Sequence, residues 1–197
     1  MNLLDGGLIR RIRQHHAIEH ATITLLMARN RGLSLVGGRS DHRGFYIVGA
    51  VDTDRLAAAA DEALRRLQRG EAELAIHPNC GTNLVTTGAM TGLAALGASA
   101  ISRRRQAGLA DRVAAAVLAA TAAALASKPL GLRLQRHVTT LADVAGLHIE
   151  SITRRQLGRM VIHFVAIDSA PRLGYAGSPA VGQPGGGRFR HHRQAPL

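Results

Sequence analysis

The amino-acid sequence predicts an α+β protein interrupted by a hairpin of two apolar helices, and three observations carry that prediction. Residues 8 to 30 have an apolar pattern at helical spacing, short β-type runs flank an amphipathic helix between residues 33 and 77, and two long uncharged stretches follow.

In the first segment Ile9, Ile12, His16, His20, Ile23 and Met27 recur at spacings of three and four. This predicts a helix with both histidines on an inward-facing apolar stripe, and it leaves His15 off the stripe, exposed or behind a site. Leu33 to Val36 and Phe45 to Val51 are the expected first strands, joined by a turn from Gly37 to Gly44. Asp52, Thr53 and Asp54 then offer N-capping groups to a helix with Leu56, Ala60, Ala63, Leu64 and Leu67 on one side, ended by Gly70. A third strand is expected from Glu73 to His77, giving a β-β-α-β unit after the first helix.

Leu84 to Ile101 and Val113 to Ser127 contain no charged residue, and the second stretch extends to Leu132 if Lys128 snorkels. Between them lies a loop with Arg103, Arg104, Arg105 and Arg112. Charge is missing from every face of both stretches, and Gly88, Gly92 and Ala95 are the small residues with which membrane helices approach closely. The expectation is a transmembrane helical hairpin whose partner is the lipid bilayer. The alternative is a soluble domain that buries the same alanine-rich hairpin in its core.

Beyond Pro129, residues 135 to 143 suggest a turn and short helix. Leu147 to Thr153 and Met160 to Ile167 form an expected strand pair, connected through residues 154 to 158, that joins the earlier sheet. Gly, Pro, Arg and His dominate from Ser169 onward, which predicts a disordered basic tail. The expected organisation is therefore 1–83 (α/β part), 84–132 (membrane hairpin), 133–168 (C-terminal β segment) and 169–197 (tail).

The 197 residues carry a formal charge of +12, yet Lys128 is the single lysine and aromatic residues make up 3%. Without aromatics interleaved among the arginines there is no stacking surface, so the charge argues against nucleic acid and for an anionic membrane surface. One cysteine, Cys80, excludes an internal disulfide. The N-terminus has Asp5, Arg10, Arg11 and Arg13 but no apolar run of signal-peptide length, so no cleaved signal is expected.

Chemistry concentrates in two places. His16, Glu19 and His20 form an HxxEH pentad, in which two imidazoles four residues apart share a helix face with a carboxylate beside them. That arrangement suits a zinc ion and a general base. His77, Pro78, Asn79, Cys80, Gly81, Thr82 and Asn83 close the third expected strand and open the first apolar helix. His77 or Cys80 supplies a third ligand, Asn79 an amide for a developing oxyanion, and Thr82 or Asn83 a helix cap whose dipole lowers the Cys80 thiol pKa. The competing reading makes this an ordinary turn with a buried cysteine, and His16 and His20 hydrogen-bonded core residues.

The pentad resembles the inverted zinc signature of pitrilysin-like metallopeptidases, which implies His16 and His20 as Zn2+ ligands and Glu19 as the base that activates water. The chain is far shorter than those enzymes, and their downstream glutamate ligand has no assured counterpart. HAIEHATI at 16–23, HRGFYIVG at 42–49 and HPNCGTN at 77–83 together resemble an uncharacterised family of small bacterial proteins with predicted membrane segments. That likeness covers most of residues 10–167 and implies a protein of the bacterial cytoplasmic membrane, with no reaction attached. Three readings follow: a membrane protein with a metal-capable site, a membrane-associated zinc hydrolase, and a soluble α+β domain.

Overall fold

A computed structural model describes residues 6–29, 37–158 and 160–169. Two helices, α1 (Gly7–Arg29) and α2 (Thr53–Gln68), cover one face of a four-stranded antiparallel sheet. Its strands are β1 (Gly37–Asp41), β2 (Gly44–Val48), β3 (His148–Leu157) and β4 (Met160–Asp168), in the order β1-β2-β4-β3. The apolar hairpin, α3 (Gly81–Arg104) and α4 (Leu109–Leu134), is inserted between the two halves of this one sheet. The fold class is α+β.

Local chemistry explains the elements that the pattern anticipated. Asp52 caps α2 by accepting from the backbone N–H groups of Asp54 and Arg55, at 3.1 and 3.0 Å. Leu56, Ala60, Ala63, Leu64 and Leu67 then bury a single stripe. In β2, Phe45 and Ile47 are fully buried while Tyr46 between them is half-buried, as a strand covered on one face requires. Across the sheet they meet Val165 and His163 on β4.

Several expectations are corrected. The expected turn from Gly37 to Gly44 is itself mostly strand, the polar segment Gly37–Asp41, while the expected strand at 33–36 lies outside the described residues. As an edge strand, β1 needs no buried side chains, so its sequence carries no β pattern. The second strand starts at Gly44 and ends at Val48. Glu73 to His77 is not a strand but contains a 3-10 turn, Ala72–Ala75, that makes no sheet pairing. Residues 154–157, expected as a connector, continue β3. Pro129 lies inside α4, which runs on into a π-helical turn, Gln135–Thr139, in place of a separate short helix. The expected tail lies outside the described residues from residue 170.

α1 departs from expectation in its orientation. Its core face is Ala17, Ile18, Ala21, Leu25 and Leu26, whereas Ile9 and Met27 of the predicted stripe are exposed, 39% and 42%. From Ile12 onward that stripe lines a groove. His15, expected off to one side, is buried, with its ring Nδ1 2.7 Å from the Asp41 carbonyl.

Helices α3 and α4 are long and apolar enough to cross a membrane. The 24 residues of α3 extend about 36 Å, against a hydrocarbon core of about 30 Å. They pack on each other, with Thr87 and Ser127 sharing a 2.7 Å hydrogen bond, and no residue of either belongs to the hydrophobic core of the α+β part. Leu84, Leu93, Leu96, Leu118 and Leu125 are all more than 60% exposed, which removes the expectation of a hairpin buried in a soluble core. Gly88 and Gly92 do not mediate the contact: a Cβ at either would meet nothing within 4 Å. The close approach is at Gly131, where a Cβ would collide with Asn83.

Candidate metal centre

The HxxEH segment and the HPNCGTN turn, far apart in sequence, meet at the base of the hairpin. Each donor has an identifiable support. His16 and His20 sit one turn apart on α1, with ring centroids 4.2 Å apart. Cys80 is the N-cap of α3; its Sγ accepts from the Thr82 N–H at 3.4 Å and lies 3.5 Å from His16 Nε2. The cap is thus Cys80 itself and not Thr82 or Asn83. The donor atoms of His16, His20 and Cys80 all lie within 4.8 Å of one another.

The imidazoles are oriented from behind by the main chain. His16 Nδ1 is 3.0 Å from the Thr139 carbonyl and His20 Nδ1 is 2.7 Å from the Ala75 carbonyl. A carbonyl oxygen only accepts, so Nδ1 carries the proton in each neutral ring and Nε2 keeps its lone pair. This is the arrangement that orients histidine ligands in metal sites, where the second nitrogen donates to a carbonyl or carboxylate. Two histidine nitrogens and a thiol are a donor set that could hold a metal ion, and all three residues line one groove.

Glu19 is 4% exposed, and Ser40 Oγ donates to its Oε2. Burial pushes the carboxyl above its ordinary carboxylate pKa, while the Ser40 hydrogen bond and the neighbouring His16 pull the other way. Gly38 touches the same carboxylate; a Cβ there would collide with it. For Cys80, burial pushes the thiol up, but His20 and the Thr82 hydrogen bonds outweigh it and leave the pKa lowered, toward the thiolate that binds metal.

His77 stands beside this group, its ring 5.9 Å from that of His20, and its Nδ1 accepts from the Asn79 N–H at 3.2 Å. Burial and then His20 lower its pKa. Asn79 is exposed on the wall of the groove. The groove, about 790 Å³ in volume, brings Glu19 and the three donors together with β1 and the first turn of α3.

Sequence reasoning missed the supports. Gln135, fully buried in the π turn, accepts from His77 N–H at 2.9 Å and donates to Asn83 Oδ1 at 2.8 Å, so it grips both ends of the HPNCGTN turn. Arg13 donates to the carbonyls of His137 and Thr140 and ties α1 to the same turn. Ser40 and Gly38 were hidden in an apparent loop, and a carbonyl such as that of Thr139 or Ala75 leaves no trace in residue identity. The π turn itself is a helix irregularity of the type that gathers at functional sites.

Fold and site together define a class: an α+β domain with a histidine-pair helix on its sheet and an apolar helical hairpin inserted between the strands. The chain belongs to the family described as Domain of unknown function (DUF6391), which matches residues 11–152. It is similar to an uncharacterised protein of Picosynechococcus sp., 38% identical over 137 residues, which covers 66% of this chain. The match spans 65% of that relative's own length. No solved structure matches the chain.

Proposed function

We propose that this chain is a membrane-anchored, zinc-dependent hydrolase of the bacterial cytoplasmic membrane, acting on acyl substrates such as amides. The observation that carries the reading is the pair of carbonyl-held Nδ1 groups, which presents the Nε2 lone pairs of His16 and His20 beside Cys80 in an open groove. Zinc, when bound, polarises a carbonyl and lowers the pKa of water.

The chain's own residues supply the rest. Glu19 takes the proton from water as the water adds to the carbonyl carbon, and returns it to the leaving amine as the C–N bond breaks. Its burial raises its pKa above the ordinary carboxylate value, which strengthens it as a base. Ser40 occupies Oε2 and leaves Oε1 to carry the proton. Asn79, on the groove wall, is the candidate amide for the developing oxyanion.

Anchoring is attributed to α3 and α4, whose apolar side chains face outward and whose loop carries Arg103, Arg104, Arg105 and Arg112. Such a loop suits anionic lipid headgroups. Detergent-purified protein is expected to hold about one zinc per chain, and Glu19→Gln to keep the zinc while losing hydrolysis. Metal-free protein that neither binds added zinc nor gains stability from it refutes the reading. The protein is expected in the membrane pellet after a high-salt wash; recovery in the supernatant refutes the anchoring.

A further inference from the structure

One wall of the groove is main chain. Gly37, Gly38, Arg39 and Ser40 line it together with the donor residues, and β1 is an edge of the sheet. The register shows which of its peptide groups are unpaired. Arg43 O accepts from Ile167 N and Gly49 N donates to Val161 O at the two ends of β2, so the odd-numbered residues of β2 face β4 and its even-numbered residues face β1. Gly44, Tyr46 and Val48 oppose Asp41, Arg39 and Gly37. By the same alternation, the N–H and C=O groups of Gly38 and Ser40 point away from β2, with no partner among the described residues. Gly37 and Gly38 raise no side chain over this edge, and both are exposed.

We infer that the groove binds an extended polypeptide, which adds as a fifth strand to the free edge of β1 by pairing with Gly38 and Ser40. The inference rests on the hydrolase reading of this site and names its substrate class. An extended peptide offers paired donors and acceptors at a two-residue repeat, which matches Gly38 and Ser40; a sugar ring or a lipid chain offers no such repeat. Residues opposite Gly38 and Ser40 turn their side chains to the α1 side of the sheet, where Ile12, Ile23 and Met27 line the groove. This accounts for Ile12 and Met27, apolar residues of α1 that lie outside the core. Because Gly38 packs directly on the Glu19 carboxylate, a peptide unit paired there lies beside the base. Hydrolysis of that unit consumes one water, breaks the C–N bond and yields a carboxylate and an amine.

The test is amide hydrogen exchange of the full chain in detergent, as zinc-loaded Glu19→Gln and as metal-free wild type, with a pool of random-sequence octapeptides as the probe. The pool is expected to slow exchange at Gly38 and Ser40 by about tenfold or more, as two backbone hydrogen bonds allow. Gly37 and Arg39, already facing β2, are expected to change little. The same pool N-methylated on every amide is expected to give no slowing. Absence of slowing at Gly38 and Ser40, or equal slowing by the methylated pool, overturns the inference. If wild type cleaves small acyl probes through Glu19 while Gly38 and Ser40 stay unprotected, the hydrolase reading survives and strand addition does not. If protection occurs but zinc-loaded wild type leaves the pool uncut, strand addition survives and the hydrolase reading does not.

Discussion

Gln135 is the residue whose removal separates a built metal centre from a chance gathering of donors. Its side chain is fully buried and makes two hydrogen bonds, to His77 N and Asn83 Oδ1, at the two ends of the turn that carries Cys80. Gln135→Met preserves the approximate length and volume but removes both partners. The two orphaned groups are only half-buried, so water replaces part of what is lost, and the expected cost is about 1–3 kcal/mol. For a chain of this size each kcal/mol lowers the melting temperature by about 2–4 °C. The larger effect falls on the metal: a support behind a ligand contributes about 10- to 100-fold in affinity, because a relaxed turn no longer holds the Cys80 thiol near the two Nε2 atoms. Thermal unfolding with and without zinc, together with zinc titration against a competing chelator, measures both quantities. A variant with wild-type zinc affinity shows that the turn needs no outside support and refutes Gln135 as the residue that holds Cys80 in place.

Gly38→Ala places a methyl group where the Glu19 carboxylate sits, so hydrolysis is expected to fall steeply while zinc content stays near that of wild type; loss of both in parallel, read by metal analysis beside an activity assay, contradicts Glu19 as a base outside the ligand set. His163 is completely buried, with Nε2 3.1 Å from Thr53 Oγ1 and no partner for Nδ1 among the described residues. Burial, reinforced by Arg154 and opposed by Asp52, lowers its pKa below the ordinary 6.5. The unfolded chain therefore binds this proton first, so the stability due to His163 is complete above pH 6.5 and is lost as pH falls through the folded-state value. Unfolding midpoints of wild type are expected to drop more steeply below pH 6.5 than those of His163→Gln, and parallel pH profiles contradict the assignment.

Much of the fold was legible because burial on one side imposes a period. α2 shows its stripe and its Asp52 cap, and β4 alternates. The uncharged lengths of α3 and α4 announce two helices with no polar face. The elements that escaped detection lack such a signal. β1 is Gly-Gly-Arg-Ser-Asp, held by backbone pairing with β2 and by polar contacts of Ser40 and the Asp41 carbonyl with α1, so its residue types show no apolar alternation. Residues 73–77 combine apolar and extended character but pair with no strand among the described residues, and local hydrogen bonds turn Ala72–Ala75 into a 3-10 turn. On α1 the predicted stripe was real but faced a groove, because periodicity reports an apolar face and not what covers it.

The sequence by itself determined the chemistry available: two histidines four apart with a glutamate beside the second, a single cysteine in a turn before a long apolar helix, and an α+β pattern split by a hairpin. Only the tertiary structure decided which donors meet. His77 and Cys80 are equivalent candidates in the sequence, but capping of α3 turns the Cys80 sulfur toward His16, whereas His77 is held beside them by Asn79 and Gln135. The orientation of both imidazoles depends on carbonyls of Ala75 and Thr139, and the setting of Glu19 depends on an edge strand. These are backbone groups brought together over separations of 55 and 123 residues, and every residue carries the same ones, so residue identity does not disclose where they converge.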